Sequence, residues 1–248
     1  MRTAVCVKQV RTLGDEVELT ADGRDVDSDY LDAALNEWDA YATEEGLRLR
    51  EAHGGEVVVV TCGDSESEAA LRRCLAMGAD RAVRVEGAGA HDPLGTAHAL
   101  AGALRELEPD LVLCGVQSSD SVQAATGTAL AELLGLPCVA VVTRIELGDG
   151  TARVHRELEG GLIDVVDVDT PALLTIQTGI NAPRYANLRA IKQAEQLEIA
   201  VRPTSQVTSA SRVRRMFLPP RGGGAELLGT DPAVVAARIA EIVKERTA

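Results

Sequence analysis

Glu56-Val57-Val58-Val59-Val60-Thr61-Cys62-Gly63-Asp64-Ser65-Glu66-Ser67-Glu68, running on through Ala69–Met77 to Gly78, decides the fold. Four consecutive valines leave no polar face for water. Glu56–Thr61 is therefore expected to be a strand covered on both sides, as in a parallel sheet. Cys62-Gly63-Asp64 closes it. Ser65 or Ser67 can cap the next helix, with Glu68 placed for a capping box. That helix ends at Met77-Gly78, where glycine supplies the left-handed residue that stops it.

The same unit recurs on either side. Upstream, Thr3–Val7 predicts a strand ending at Lys8-Gln9, and a loop with little periodicity runs to about Asp29. Leu31, Leu35, Trp38, Ala42, Leu47 and Leu49 then recur at helical steps, and Asn36 could cap a second helix start among them. Downstream, Arg81–Val85 is a strand, Asp92-Pro93 opens a helix to about Leu107, and Leu111–Cys114 is a strand. A helix over roughly Val122–Leu134 ends at Gly135, before a strand at Cys138–Val142. Strands alternating with helices argue for an α/β fold with a doubly wound parallel sheet and right-handed crossovers.

From about residue 144 the pattern changes. Arg144–Leu147, Ala152–Leu158, Leu162–Val168 and Ala172–Ile176 predict short strands joined by Gly-rich turns, an antiparallel β extension of the sheet. A helix is expected near Leu188–Gln196. Val201–Arg221 carries Arg202, Arg212, Arg214, Arg215 and Arg221 without an acid, and is expected to be an extended arm. Gly222-Gly223-Gly224 suggests a hinge, and Asp231-Pro232 caps a last helix over Ala233–Arg246. The expected organisation is a domain over 1–200 and a C-terminal arm and helix over 201–248.

Composition narrows the function. The chain has 248 residues, 46% hydrophobic but only 2% aromatic, so its core must be aliphatic. A net charge of −13 argues against nucleic acid or an anionic membrane as the main partner, but leaves room for one bound nucleotide held by backbone amides. The five cysteines, at 6, 62, 74, 114 and 138, lack CxxC spacing, and His53, His91, His98 and His155 are scattered. Neither a disulfide framework nor a metal site is expected. The N-terminus does not resemble a signal peptide, and no apolar run approaches the roughly 20 residues that span a bilayer. A reducing cytoplasmic location is expected.

Four stretches could carry chemistry. Gly115-Val116-Gln117-Ser118-Ser119-Asp120-Ser121-Val122-Gln123-Ala124-Ala125-Thr126 lies between a strand's C-terminal end and a helix start, where open parallel sheets bind ligands. Its short hydrogen-bonding side chains and free helix-start amides suit a phosphate, or make an ordinary capped loop. Cys62-Gly63-Asp64 and Val5-Cys6-Val7-Lys8 end strands expected to lie adjacent to Leu111–Cys114 and to line the same crevice, where small residues could admit an adenine or a ribose, or serve only in turns. Asn36-Glu37-Trp38-Asp39 is the fourth stretch. Trp38 is core or a ligand platform, and Asp39 is a hydrogen-bond acceptor for a ribose or purine or a dipole-favoured first-turn acid. No Ser/His/Asp or Cys/His arrangement and no acid/base pair stands out.

Val154-His155-Arg156-Glu157-Leu158-Glu159-Gly160-Gly161, Pro171-Ala172-Leu173-Leu174-Thr175 and Asn181-Ala182-Pro183-Arg184-Tyr185-Ala186-Asn187-Leu188 together resemble the β subunit of electron-transfer flavoproteins. Val5–Val10, Glu44-Glu45, Val60–Gly63, Ala76–Arg81 and Gly115-x-Gln117 with Thr126-Gly127 extend the resemblance over about residues 1–200. It implies a heterodimer with an α subunit that carries FAD, and AMP or a second FAD in this subunit. It also implies an electron carrier and not a self-sufficient enzyme, taking electrons from flavin dehydrogenases and passing them toward a quinone-linked oxidoreductase. By position, the nucleotide would meet Cys6, Asn36–Asp39, Cys62 and Gly115–Thr126. Partner contacts would come from Glu157, Arg184, Tyr185 and Leu188, with Leu188 anchoring dehydrogenases and Glu157 tethering the mobile flavin domain. Glu37 stands where many members have proline, Asp120 is the one acid in a loop often richer in them, and Asp164 replaces a Glu or Gln. These departures bear on which nucleotide is held. The competing reading is a stand-alone ATP-binding protein of the universal-stress type, which leaves Val154–Arg189 unexplained. An ATP-consuming ligase or hydrolase would need a phosphate-cradling Gly-rich signature that is missing.

Overall fold

The computed structural model describes residues 1–14, 16–86, 92–204, 211–220, 224–225 and 227–247. His91, Arg221, Gly222 and Gly223 lie outside the described residues. The chain divides into a large unit, Met1–Arg215, and a small one, Met216–Ala248.

The large unit is built on one nine-stranded sheet. In chain order its strands are β1 (Arg2–Cys6), β4 (Glu56–Gly63), β5 (Arg81–Glu86), β6 (Leu111–Gly115), β7 (Cys138–Leu147), β8 (Thr151–Glu157), β9 (Ile163–Asp169), β10 (Ala172–Ile176) and β11 (Ile199–Pro203). A separate hairpin pairs β2 (Gln9–Leu13) with β3 (Leu31–Leu35). The helices are α1 (Glu37–His53), α2 (Glu68–Met77), α3 (Pro93–Leu107), α4 (Thr126–Leu134), α5 (Leu188–Ala194) and α6 (Pro232–Thr247). The sheet order is β11-β5-β4-β1-β6-β10-β7-β8-β9, parallel from β11 to β7 and antiparallel over the last two pairings.

The valine run does what its lack of a polar face requires. Val57 and Val59 pack with Ala42 and Leu47 of α1 and Leu71 of α2. Val58 and Val60 pack on the other side, with Ala97, Leu100 and Leu104 of α3. Alternate residues of each central strand thus feed two cores. Asp92 caps α3 by accepting from Gly95 N at 2.6 Å, with Pro93 in the first turn, as expected.

Several local expectations are corrected. Leu31–Leu35 is a strand, not helix, because it pairs with Gln9–Leu13 within what was expected to be an aperiodic loop. Neither serine caps α2. Asp64 accepts from Glu66 N at 3.0 Å, and Glu68 is drawn away to Arg84 at 2.9 Å. The helix expected from Val122 begins only at Thr126, because Val122 and Ala124 both have φ of 49°. That left-handed conformation does not propagate a right-handed helix. Val201–Pro203, expected in the arm, belongs to edge strand β11, which pairs with β5 and ends at a proline.

The largest correction concerns β10. Ala172–Ile176 is not part of the antiparallel extension but lies between β6 and β7, parallel to both. All five of its residues are buried, the signature of a strand covered on both faces. The antiparallel extension itself stands as β8 and β9 with the second half of β7, where a register shift marks the change of partner.

In the small unit Asp231 accepts from Ala233 N at 2.9 Å and starts α6, whose Val234, Ile239 and Val243 are exposed. No helix among the described residues is long and apolar enough to cross a membrane.

The place of β10 makes a testable difference. Leu174 is fully buried in the sheet's interior, so Leu174→Ala should cost about 2–5 kcal/mol, read as a lowered urea midpoint. A peripheral strand would lose well under half of that.

Candidate functional site

From β1 the chain order steps one way through β4 and β5 and the other way through β6, so the sheet reverses its winding between β1 and β6. The carboxyl ends of these two strands, side by side, form the crevice in which such sheets take ligands.

One acid joins the two ends. Asp39, in the first turn of α1, accepts from Lys8 N through Oδ2 and from Gly115 N through Oδ1, each at 2.8 Å. Gly115 is required here: a Cβ would fall 2.6 Å from Asp39 Oδ1. Burial pushes the Asp39 carboxyl up to about 6, against the two backbone donors, Asn36 and Lys8, which favour the charged form. A raised carboxyl in a crevice suggests a general base. Here both oxygens already accept short backbone bonds, so the geometry is that of a brace.

Asn36 holds the loop. It occupies the cap position of α1 but makes no side-chain cap bond. Its Nδ2 donates to Gln117 O at 2.8 Å, and its Oδ1 accepts from Ser119 N at 3.2 Å. The amide thus grips the loop through one donor and one acceptor. Glu37, the next residue, is exposed.

Lys8, which closes the Val5–Lys8 stretch expected to line the crevice, is the cation that meets the loop. Its Nζ lies 2.6 Å from Asp120 Oδ1 and 3.2 Å from Ser118 Oγ, which is itself 2.8 Å from Ser121 Oγ. Burial alone would raise the Asp120 carboxyl, but Lys8 and Ser118 outweigh it and hold it below the usual range. Val122, Gln123 and Ala124 are exposed, while Ala125 and Thr126 are half-buried where α4 begins. α4 starts with no side-chain cap, so its first amides remain available to an anion.

The cysteines divide. Cys6, at the end of β1, is buried, and desolvation pushes its thiol up to about 12. Cys62 is half-buried on β4, one strand farther from β6 than the adjacency expected of it, with its thiol raised to about 11. Both act as small neutral groups, not thiolates.

Trp38 extends the site sideways. Its Nε1 donates to Gln177 Oε1 at 3.1 Å, and Gln177 Nε2 lies 3.5 Å from Glu157 Oε2 at the end of β8. Exposed Glu157 is thereby connected to the first turn of α1. Farther along, Tyr185 is 92% exposed and Leu188, first residue of α5, is 79% exposed, so Leu188 is no buried helix residue. The Arg184 guanidinium turns inward to Glu44 and Glu51. Gln177, Glu44 and Glu51 were not expected to take part. Nothing in their local spacing marks them, because the groups that draw them in, Trp38 and Arg184, are more than a hundred residues away.

The fold defines a doubly wound α/β chain with a crevice at its switch point and a separate exposed segment at Tyr185–Leu188. The family model described as "Electron transfer flavoprotein domain" matches residues 25–206. A protein of Methylophilus methylotrophus named "Electron transfer flavoprotein subunit beta" is 41% identical, over 99% of this chain and 98% of its own length. The like-named protein of Mycobacterium bovis is 33% identical over 82% of this chain and 79% of its own. A protein of Acetobacterium woodii named "Caffeyl-CoA reductase-Etf complex subunit CarD" is 33% identical, over 99% of both chains. The chain belongs to the electron-transfer flavoprotein β-subunit family.

The brace has a pH signature. Asp39 binds its proton more tightly folded than unfolded, so its contribution to stability is full below about pH 4 and is lost as pH rises through about 6. Asp39→Asn should abolish this component. The stability of the native protein minus that of the variant should fall by up to about 3 kcal/mol between pH 4 and pH 7 in parallel urea titrations. A pH-independent difference would mean that Asp39 ionises normally.

Proposed function

We propose that this chain is the β subunit of a heterodimeric electron-transfer flavoprotein, located in the cytoplasm. Its α-subunit partner carries FAD, and this chain holds AMP in the crevice between β1 and β6. The pair takes electrons from flavin dehydrogenases and passes them toward a quinone-linked oxidoreductase. One observation carries the nucleotide assignment: Asp39 and Asn36 fix the 115–119 segment at the switch point, beside the uncapped start of α4. The fit to AMP is chemical. The amides at the uncapped start of α4 suit its phosphate, and the short hydroxyl side chains of Ser118, Ser119 and Ser121 beside them suit its ribose. The nucleotide braces the crevice, while the partner's flavin supplies the redox chemistry. This subunit needs no proton-transfer couple, in keeping with an Asp39 whose oxygens are both committed.

The exposed segment suits the dehydrogenases. Leu188 and Tyr185 stand clear of the surface as two apolar side chains, the kind of feature that anchors a small interface. Glu157 lies at the other end of the Trp38–Gln177 connection, where an acid can meet a basic group on the flavin-bearing domain.

Coexpression with an α subunit followed by mass spectrometry of the released cofactors should give one FAD and one AMP per heterodimer. Two FAD would replace AMP by a second flavin in this crevice. ATP from a chain that never pairs would favour the stand-alone stress-protein reading. In steady-state reduction of the heterodimer by a reduced flavin dehydrogenase, Leu188→Ala should raise KM about tenfold, as for loss of a modest hot spot. An unchanged KM would remove Leu188 from the interface.

A further inference from the structure

The stretch from Gln177 to Asn187 joins β10 to α5 without helix or strand of its own. No backbone ladder fixes its path, yet it carries Tyr185 and leads directly into Leu188, the two most exposed apolar side chains of the docking segment. What fixes it is a row of side-chain bonds along the flank of α1. Asn181 Nδ2 donates to Tyr41 O at 3.1 Å and to Glu45 Oε2 at 2.9 Å. Arg184 grips Glu44 twice, Nε to Oε2 at 2.8 Å and Nη2 to Oε1 at 2.9 Å, and its own backbone N donates to Oε2 at 3.1 Å. Its Nη1 donates to Glu51 Oε1 at 2.7 Å. Beyond, Asn187 caps α5 by accepting from Ala190 N at 2.9 Å, and Arg72 holds the other end of α5 at Ala194 O, 2.6 Å away.

We infer that Arg184, clamped between Glu44 and Glu51, is a positioning residue that holds Tyr185 and Leu188 ready for the partner dehydrogenase. This inference rests on the docking role given above to Leu188. Geometry separates Arg184 from its neighbours in sequence. Tyr185 and Leu188 are largely exposed, with the Arg73 guanidinium 5.8 Å from the Tyr185 ring, whereas the Arg184 charge is matched by two carboxylates of this chain and is not free to recruit an acid on a partner. The Glu44 side chain is only 6% exposed, so the pair is not a loose surface contact. A bidentate arginine fork fixes direction as well as distance. A segment ordered before the encounter does not lose that freedom on binding, and affinity rises accordingly.

The test uses the reconstituted heterodimer, with a substrate-reduced flavin dehydrogenase as the probe donor. Glu44→Gln keeps the volume and removes the charge. It should raise KM for the heterodimer about tenfold with kcat unchanged, and speed amide hydrogen exchange at 182–188 about tenfold while α4 and β6 exchange as before. Glu51→Gln removes only the exposed half of the grip and should give an intermediate rise, which keeps the test open if Glu44→Gln fails to fold. The decisive reading is the combination with Leu188→Ala. If Arg184 acts by placing Leu188, the effect of Glu44→Gln on KM should largely vanish in the Leu188→Ala background. Additive effects, or unchanged exchange at 182–188, would overturn the inference. If Leu188→Ala alone leaves KM unchanged, the docking reading fails instead, and the exchange measurement still decides whether the clamp orders the segment.

Discussion

A single buried carboxylate ties the two halves of this sheet together. Asp39 accepts from the backbone just past β1 and from the last residue of β6, the strands between which the winding reverses. Parallel strands that diverge at a switch point leave unpaired amides at their carboxyl ends. Those amides must be bonded by something if they are not open to water. An acid brought in on a helix N-terminus does this and is favoured there by the helix dipole. Its cost is desolvation, visible in the raised carboxyl. Glycine at 115 lets helix and strand approach closely enough for the bond to form.

Helix α1 therefore serves two places. Its first turn, through Asn36 and Asp39, fixes the strand ends and the 115–119 segment. Its middle, through Tyr41, Glu44, Glu45 and Glu51, fixes the segment that leads from β10 to α5. Trp38 and Gln177 lie between the two and connect onward to Glu157. A single 17-residue helix thus sets the relative placement of the crevice and the exposed Tyr185–Leu188 segment. The weak amphipathic pattern of α1 follows from this. Its buried residues include Asp39, Thr43, Glu44 and Glu45, polar groups present for the bonds they make and not for the surface they bury.

Much of this was legible in the chain. The valine run, Gly78, Asp92-Pro93 and Leu111–Cys114 each carry local signals that the structure obeys. The position of the 115–126 loop was legible too, since it follows the buried run Leu111–Cys114 and precedes a helix. Failures came where a local pattern competed with a distant partner. Leu31 and Leu35 have helical spacing with Trp38, yet Gln9–Leu13 claims them as a strand. Val122 looks like a helix start, but positive φ at Val122 and Ala124 delays the helix by four residues. Ala172–Ile176 follows three short strands and so looks like a fourth. Its lack of alternation was the signal for an interior strand.

By itself, then, the sequence determined the class of sheet, both of its cores, the place of the crevice loop and the family, because valine patterning, caps and glycines act over a few residues. Tertiary structure alone decided that β10 runs through the middle of the sheet and that β11 closes its edge. It alone decided that Asn36 holds a loop instead of capping its helix, that Lys8 meets Asp120, and that Arg184 faces inward to Glu44 and Glu51. Each of these is a choice among partners of nearly equal local chemistry, and only packing brings one of them within hydrogen-bonding distance.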